Sequence, residues 1–262
     1  MPRISVIMGI FNCASTLPEA LDSLYAQTYQ DFKIIMCDDG SSDNTYQVAE
    51  SYASKHDNIV LIKNEKNMGL NYTLNHCLEY VDTELVARMD GDDISMQDRF
   101  EVEINFLDKN PEFSLVSTPC TYFDKDGIFR RAFGKGEPKP KDFLKRPPIS
   151  HAPCMVRTEA IKAVGGYSVD DRLLRVEDYH LWFKLYAAGY RMYQMHDSKY
   201  LMRDDRNAAR RRTWKNRKNE VYVKHIGYKM IGLPWYYQIY ALRPILIYLM
   251  PSFIYRYLHK NK

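Results

Sequence analysis

The chain has 262 residues, 45% of them hydrophobic, which excludes a disordered protein and suits one α/β domain with an appendage. Its cysteines, Cys13, Cys37, Cys77, Cys120 and Cys154, are scattered, odd in number and without a CxxC pair, arguing against a disulfide framework or zinc site and for a reducing compartment. The net charge of +4 hides an asymmetry: residues 199–262 carry 15 Lys and Arg against 3 Asp and Glu, a balance of +12, leaving −8 on the rest and suggesting an anionic partner for the tail, a membrane surface or nucleic acid.

Ile4 to Ile10 is a continuous apolar run that predicts a strand buried on both faces rather than a secretory leader. Thr16 and Glu19 have capping-box spacing, and Leu17, Ala20, Leu21 and Leu24 recur at helical intervals, so a helix should pack on the sheet. A strand at Phe32 to Cys37 runs into the polar turn Asp38-Asp39-Gly40-Ser41-Ser42-Asp43, followed by a helix from Asn44 to Lys55. A strand at Ile59 to Lys63, a helix from Asn71 to Tyr80 and a strand at Leu85 to Met89 complete a βαβαβαβ series. That series calls for a mostly parallel, Rossmann-like sheet with helices on both faces. Ligands collect at the carboxyl ends of such strands, and both Asp38-Asp39 and Asp90-Gly91-Asp92-Asp93 fall there.

Farther on, Arg99 to Leu107 reads as helix, Ser114 to Thr118 and Thr121 to Phe133 as extended, and Gly134 to Pro148 as a mobile Pro, Gly and Lys-rich connection. Cys154 to Val156 reads as a strand, Thr158 as the cap of a short helix broken at Gly165-Gly166, and Glu177 to Ala188 as a helix closed by Gly189. Arg203 to Lys229 is basic with interleaved aromatics, and Leu233 to Leu258 is apolar and aromatic. Pro234, Pro244, Pro251, Arg243 and Arg256 interrupt any transmembrane span. Short interfacial helices facing anionic lipid, or a helix pair packed on the domain, both fit this composition.

Three carboxylates within Asp90-Gly91-Asp92-Asp93 repel one another, a cost that a hard divalent ion such as Mg²⁺ or Mn²⁺ relieves together with substrate phosphates. A solvated acidic turn, with Asp93 or Ser95 capping the next helix, is the competing reading. Asp38-Asp39 offers acceptors for a nucleobase or ribose, or an Asx turn stabilising its own backbone. Glu177-Asp178 is explained by the dipole of the helix it opens, and equally by a general base if the fold brings it across from Asp92.

Six ordered motifs carry a resemblance. Ser5 to Asn12, Asp38 to Asp43, Asn67-Met68-Gly69, Asp90 to Asp93, Gly165-Gly166-Tyr167 and Glu177 to Trp182 together resemble family 2 glycosyltransferases, most of all those of bacterial capsule and exopolysaccharide synthesis. The resemblance implies a GT-A fold over residues 1–203, with a nucleotide-sugar-binding half at 1–118 and an acceptor-binding half at 119–203; the composition of residues 204–262 adds a basic, aromatic, helical, membrane-associating extension. It implies an inverting, metal-dependent transferase with a nucleotide diphosphate sugar donor, by family habit a UDP-sugar, and a glycan or lipid-linked acceptor. Such an enzyme would be cytoplasmic and peripheral at the inner face of the plasma membrane. Gly9 and Phe11 would then flank the base, Asp38 and Asp39 would bind base and ribose, and Asn67 and Gly69 would line the ribose-phosphate side. Asp90 and Asp92 would hold Mn²⁺ or Mg²⁺, Asp92 directly, and Asp178 would be the catalytic base.

The sequence departs from the family at Gly9 (usually Pro), Phe11 (usually Tyr), Leu74 (often Arg) and Gln97 (usually Pro). With no Arg at Leu74, Arg99 or His151 is expected to supply the donor-phosphate contact, although a lone His beside a proline-rich loop suits a structural role better. The alternative function is a nucleotide-binding regulatory or scaffolding protein with weak or no turnover. Nucleic acid is not an expected partner, because no recognised motif accompanies the basic tail. A dinucleotide-binding enzyme lacks its GxGxxG and a P-loop enzyme its GxxxxGK[ST].

Overall fold

A computed structural model describes residues 2–204 and 213–249. Strands β1 (Ile4–Ile10), β2 (Phe32–Asp38), β3 (Ile59–Lys63) and β4 (Leu85–Arg88) form the expected parallel unit, in spatial order β3-β2-β1-β4. Helices α1 (Leu17–Tyr25), α2 (Thr45–Ala53) and α3 (Leu70–Glu79) connect them. The apolar run in β1 is continuous because both faces are covered: Ile4, Val6, Met8 and Ile10 enter one core with α1, whereas Ile7 enters the other with α3.

The seven-stranded sheet is mostly parallel, as expected, with one antiparallel strand. Helix α4 (Arg99–Lys109) leads to β6 (Phe113–Ser117), and β9 (Cys154–Arg157) lies antiparallel between β4 and β6, with β10 (Arg191–Gln194) parallel to β6 at the edge. A second sheet, unforeseen in the sequence, runs β5-β11-β7-β8 and is built from β5 (Ile94–Ser95), β7 (Cys120–Asp124), β8 (Gly127–Arg131) and β11 (Tyr200–Arg203). Thr121 to Phe133 is therefore a hairpin, and β11 brings Arg203 back beside the Asp90 to Asp93 turn. With helices on both faces, the architecture is consistent with a GT-A-like fold.

Two local expectations change. Thr16 caps no backbone amide; its hydroxyl donates to the carbonyls of Cys13 and Gly91, tying α1 to the acidic turn, and Glu19 pairs with Arg203. The Gly134 to Pro148 connection is pinned: Phe143 is fully buried against Phe183 and Tyr186, Gly136 pairs with Gln194, and the Phe143 carbonyl accepts from Tyr179.

Helix α5 (Thr158–Ala163) and α6 (Glu177–Ala187) precede α7 (Trp214–Met230) and α8 (Arg243–Leu249). Helix α7 packs on α6 so closely that a Cβ at Gly227 would lie 2.2 Å from the Phe183 ring. Tyr228 is fully buried and its hydroxyl donates to the Leu144 carbonyl. None of the described helices is long and apolar enough to cross a membrane. Between Trp235 and Leu249, however, Trp235 (83% exposed), Ile239, Leu246 and Leu249 face outward. Pro251 and Arg256 lie outside the described residues.

Candidate active site

The site is assembled at the carboxyl ends of β1, β2 and β4 and closed by the start of α6. After β1, the amide of Asn12 donates to the Ser41 hydroxyl and the Asn12 side chain accepts from the Ser42 amide, latching the β1 turn to the Asp38 to Asp43 turn. The Asp39 carboxylate accepts from the Met68 and Gly69 amides (2.8 and 2.9 Å) and from Asn64 (2.8 Å). Three of its roughly four acceptor sites are thus taken in holding the Asn67-Met68-Gly69 loop, leaving about one for a ligand. Asp38 is buried, accepts from the Ser41 amide and keeps Oδ1 without a partner among the described residues.

Gly9, Phe11, Asp39, Asn67 and Gly69 line one cleft of about 660 Å³; Asp38 does not reach its wall. That volume suits a nucleoside-sized ligand. Phe11, 46% exposed, stands at the mouth with its ring open to a stacking partner.

Phe11 and Gly9 also border a second cleft of about 310 Å³, lined by Asp90, Gly91, Asp92 and Arg203. Gly91 is required there, since a Cβ would sit 2.8 Å from the Cys13 sulfur. The three aspartates separate by environment. Asp90 is paired with the buried Arg88 at 2.5 Å. Asp93 is buried and accepts from the Arg203 amide at 2.7 Å; burial and the negative charges of Asp90 and Asp92 drive its carboxyl well above the usual range. Asp92 keeps access to solvent and no side chain donates to it among the described residues; the surrounding cleft walls and the charge of Asp90 still raise its carboxyl. Asp93 is therefore a staple, and Asp92 is the carboxylate open to a ligand.

Among the described residues, no group of three or more His, Cys, Asp or Glu side chains is arranged to hold an ion. Mg²⁺ and Mn²⁺ do not need one, because one or two carboxylates suffice when substrate phosphates and water complete the shell. The open carboxylate of Asp92 beside Asp90 has the chemistry for that role.

Asp178 occupies the second position of α6. The macrodipole favours its charge, but burial and the neighbouring Glu177 outweigh the dipole and the attraction of Arg88, pushing its carboxyl up to about 7. Asp90, Arg88, Glu177 and Asp178 line one cavity of about 440 Å³, so the acidic turn and the α6 start share a cleft. His151 lines it too, bonded to the Tyr167 hydroxyl at 2.8 Å and held neutral by burial and the nearby Arg88. The Gly165-Gly166-Tyr167 motif has a structural role. Asn75 clamps the Tyr167 backbone in both directions, which fixes the approach to α6.

Arg99 does not supply the expected phosphate contact. It is wholly buried, bonded to Glu103 (3.2 Å) and the Arg88 carbonyl (2.9 Å), and lines none of these clefts. Arg203, whose Nε donates to the Asp92 carbonyl, borders the smaller cleft, and Arg175, a non-glycine residue at φ 67°, borders the larger. Neither carried a sequence signal of its own, since their position depends on β11 and on the turn before α6.

The sequence profile of glycosyl transferase family 2 matches residues 5–165. The chain is 34% identical over 262 residues to the putative glycosyltransferase EpsE of Bacillus subtilis (strain 168), covering 100% of this chain and 94% of that protein. It is 30% identical over 224 residues to the amylovoran biosynthesis glycosyltransferase AmsE of Erwinia amylovora, covering 83% and 82%. Its fold matches the crystal structure of S. aureus TarS 1–349 in complex with UDP-GlcNAc with a TM-score of 0.72 at 18% identity, over 95% of this chain and 72% of that one.

Proposed function

The chain belongs to glycosyl transferase family 2, and from that premise we propose that it is an inverting, metal-dependent enzyme of polysaccharide synthesis that transfers a sugar from a UDP-sugar to a hydroxyl of a lipid-linked glycan. The observation that carries the reading is the shared cavity of Asp90 and Asp178, in which a carboxyl poised near neutrality faces the acidic turn.

In this reading the uridine lies in the larger cleft against Phe11 and Asp39, with Asn67 and Gly69 along the ribose and Asp38 beneath. The diphosphate reaches Asp92 and Arg203, leaving the anomeric carbon before Asp178. Asp178 accepts the proton of the acceptor hydroxyl as that oxygen attacks; the C–O bond to the diphosphate breaks, and the electron pair leaves with UDP. A single displacement inverts the anomeric centre. Mn²⁺ or Mg²⁺ held by Asp92 and Asp90 would neutralise charge on the departing diphosphate.

The basic and apolar C-terminal helices suit a position at the inner face of the plasma membrane, where lipid-linked acceptors are met. UDP release from UDP-sugars with Mn²⁺, abolished by EDTA and by Asp92→Ala, is the expected result. Full turnover in Asp92→Ala would remove the metal assignment.

A further inference from the structure

A third cavity, of about 890 Å³, adjoins the cleft and shares Arg146, Arg175 and Asp178 with it. Its remaining walls come from Lys145 in the pinned connection, from Val176 and Tyr179 at the start of α6, and from α7 and α8. Five cationic side chains, Lys145, Arg146, Arg175, Arg217 and Arg243, line it against two carboxylates, Asp178 and Glu220. Glu220 is already engaged by Arg217 (2.9 Å) and Lys224 (3.2 Å). Among the described residues, none of Lys145, Arg146, Arg175 and Arg243 forms an ion pair with a carboxylate.

Unpaired cations converging on one cavity repel one another, and an anion relieves that repulsion. The wall is also fixed in place, because the Lys145 carbonyl accepts from Lys224 (3.3 Å) and Arg243 (3.5 Å), so the cationic segment is tied to α7 and α8. Arginine in particular recognises phosphate through paired N–H donors. Of the five cations only Arg175 also borders the nucleotide cleft; Lys145, Arg146, Arg217 and Arg243 do not, and Asp92 and Arg203 lie in a different cleft, so the donor diphosphate does not account for the cavity. On the outer side, Ile247 lines the cavity while its neighbours Leu246 and Leu249 are exposed, 62% and 67%, so an apolar surface begins where the basic wall ends.

We propose that this cavity binds a phosphate or diphosphate group of the acceptor, anchoring it so that the reacting hydroxyl reaches Asp178 while the carrier leaves along the apolar face of α8. The orientation rests on Asp178 as the base; the anion site does not. Asp178 lines both this cavity and the one it shares with Asp90, so a hydroxyl of an acceptor anchored here can reach it.

The test is a calorimetric titration of the full chain, saturated with UDP and Mg²⁺, with inorganic phosphate and separately with octyl phosphate. Binding that weakens about tenfold or more in the Lys145→Ala/Arg146→Ala double variant, with UDP affinity unchanged, is expected. Tighter binding of octyl phosphate identifies a lipid carrier, and equal binding a soluble phosphate-bearing glycan; both keep the assignment. No binding to the wild type, equal binding to the double variant, or displacement of the probe by UDP overturns it. Lys145 and Arg146 are exposed, so their loss spares the core. Should UDP affinity fall as well, Arg243→Gln is read by the same criteria. Full turnover in Asp178→Asn with phosphate binding intact would remove Asp178 as the base and leave the anion site standing.

Discussion

Asp178 shows how one residue acquires chemistry from its surroundings. Its carboxyl ionises near 4 in an unfolded chain and at about 7 in the folded one, because burial and Glu177 disfavour the charge. Between those values the folded state holds a proton that the unfolded state has lost, so this residue's contribution to stability falls as pH rises from about 4 to about 7 and stays at its full deficit above. Asp178→Asn should therefore melt a few degrees higher than wild type (~2–4 °C) above pH 7, the difference shrinking toward pH 4. The same variant should lose roughly 10²- to 10⁴-fold in rate, along with the acidic limb near pH 7 in the wild-type kcat/KM profile. An acidic limb that persists in the variant would assign it to another group. The same logic divides Asp90, Asp92 and Asp93: identical side chains become a partner of Arg88, an open carboxylate and a buried staple.

Among the elements, α6 and α7 decide whether the cleft has a far wall. Gly227 lets α7 lie directly on Phe183, which in turn stacks on Tyr179, the residue after Asp178. Gly227→Ala must part the two helices, so it should destabilise by about 1–3 kcal/mol and shift the melting midpoint down. Calorimetry checks this; an unchanged midpoint would mean that the helices are not held at this contact. Asn75, on α3, acts at the same scale by clamping Tyr167 and so aiming the turn that enters α6.

At the scale of the molecule, α7 packs into the main body: Val223 and Tyr228 belong to the same core as Trp182 and Phe183. Truncation after residue 203 should expose that core and yield aggregated protein, whereas a monomeric, cooperatively melting fragment would show the core to be dispensable. The outward Trp235, Ile239 and Leu246 predict salt-sensitive binding to anionic vesicles. Trp235→Ser/Leu246→Ser should weaken that binding, measured by co-sedimentation, without changing UDP affinity. Periodicity in the sequence was enough to determine β1 to β4, their helices and the placement of Asp38-Asp39 and Asp90 to Asp93 at strand ends, because apolar spacing and polar turns are local properties. The six ordered motifs likewise carried the family. Only the tertiary structure decided that β9 runs antiparallel through the sheet, that Arg99 is spent in the core, that Arg203 and Arg175 reach the clefts, and that Asp178 shares a cavity with Asp90. Those outcomes depend on contacts between segments far apart in the chain, and on burial, which no local pattern encodes.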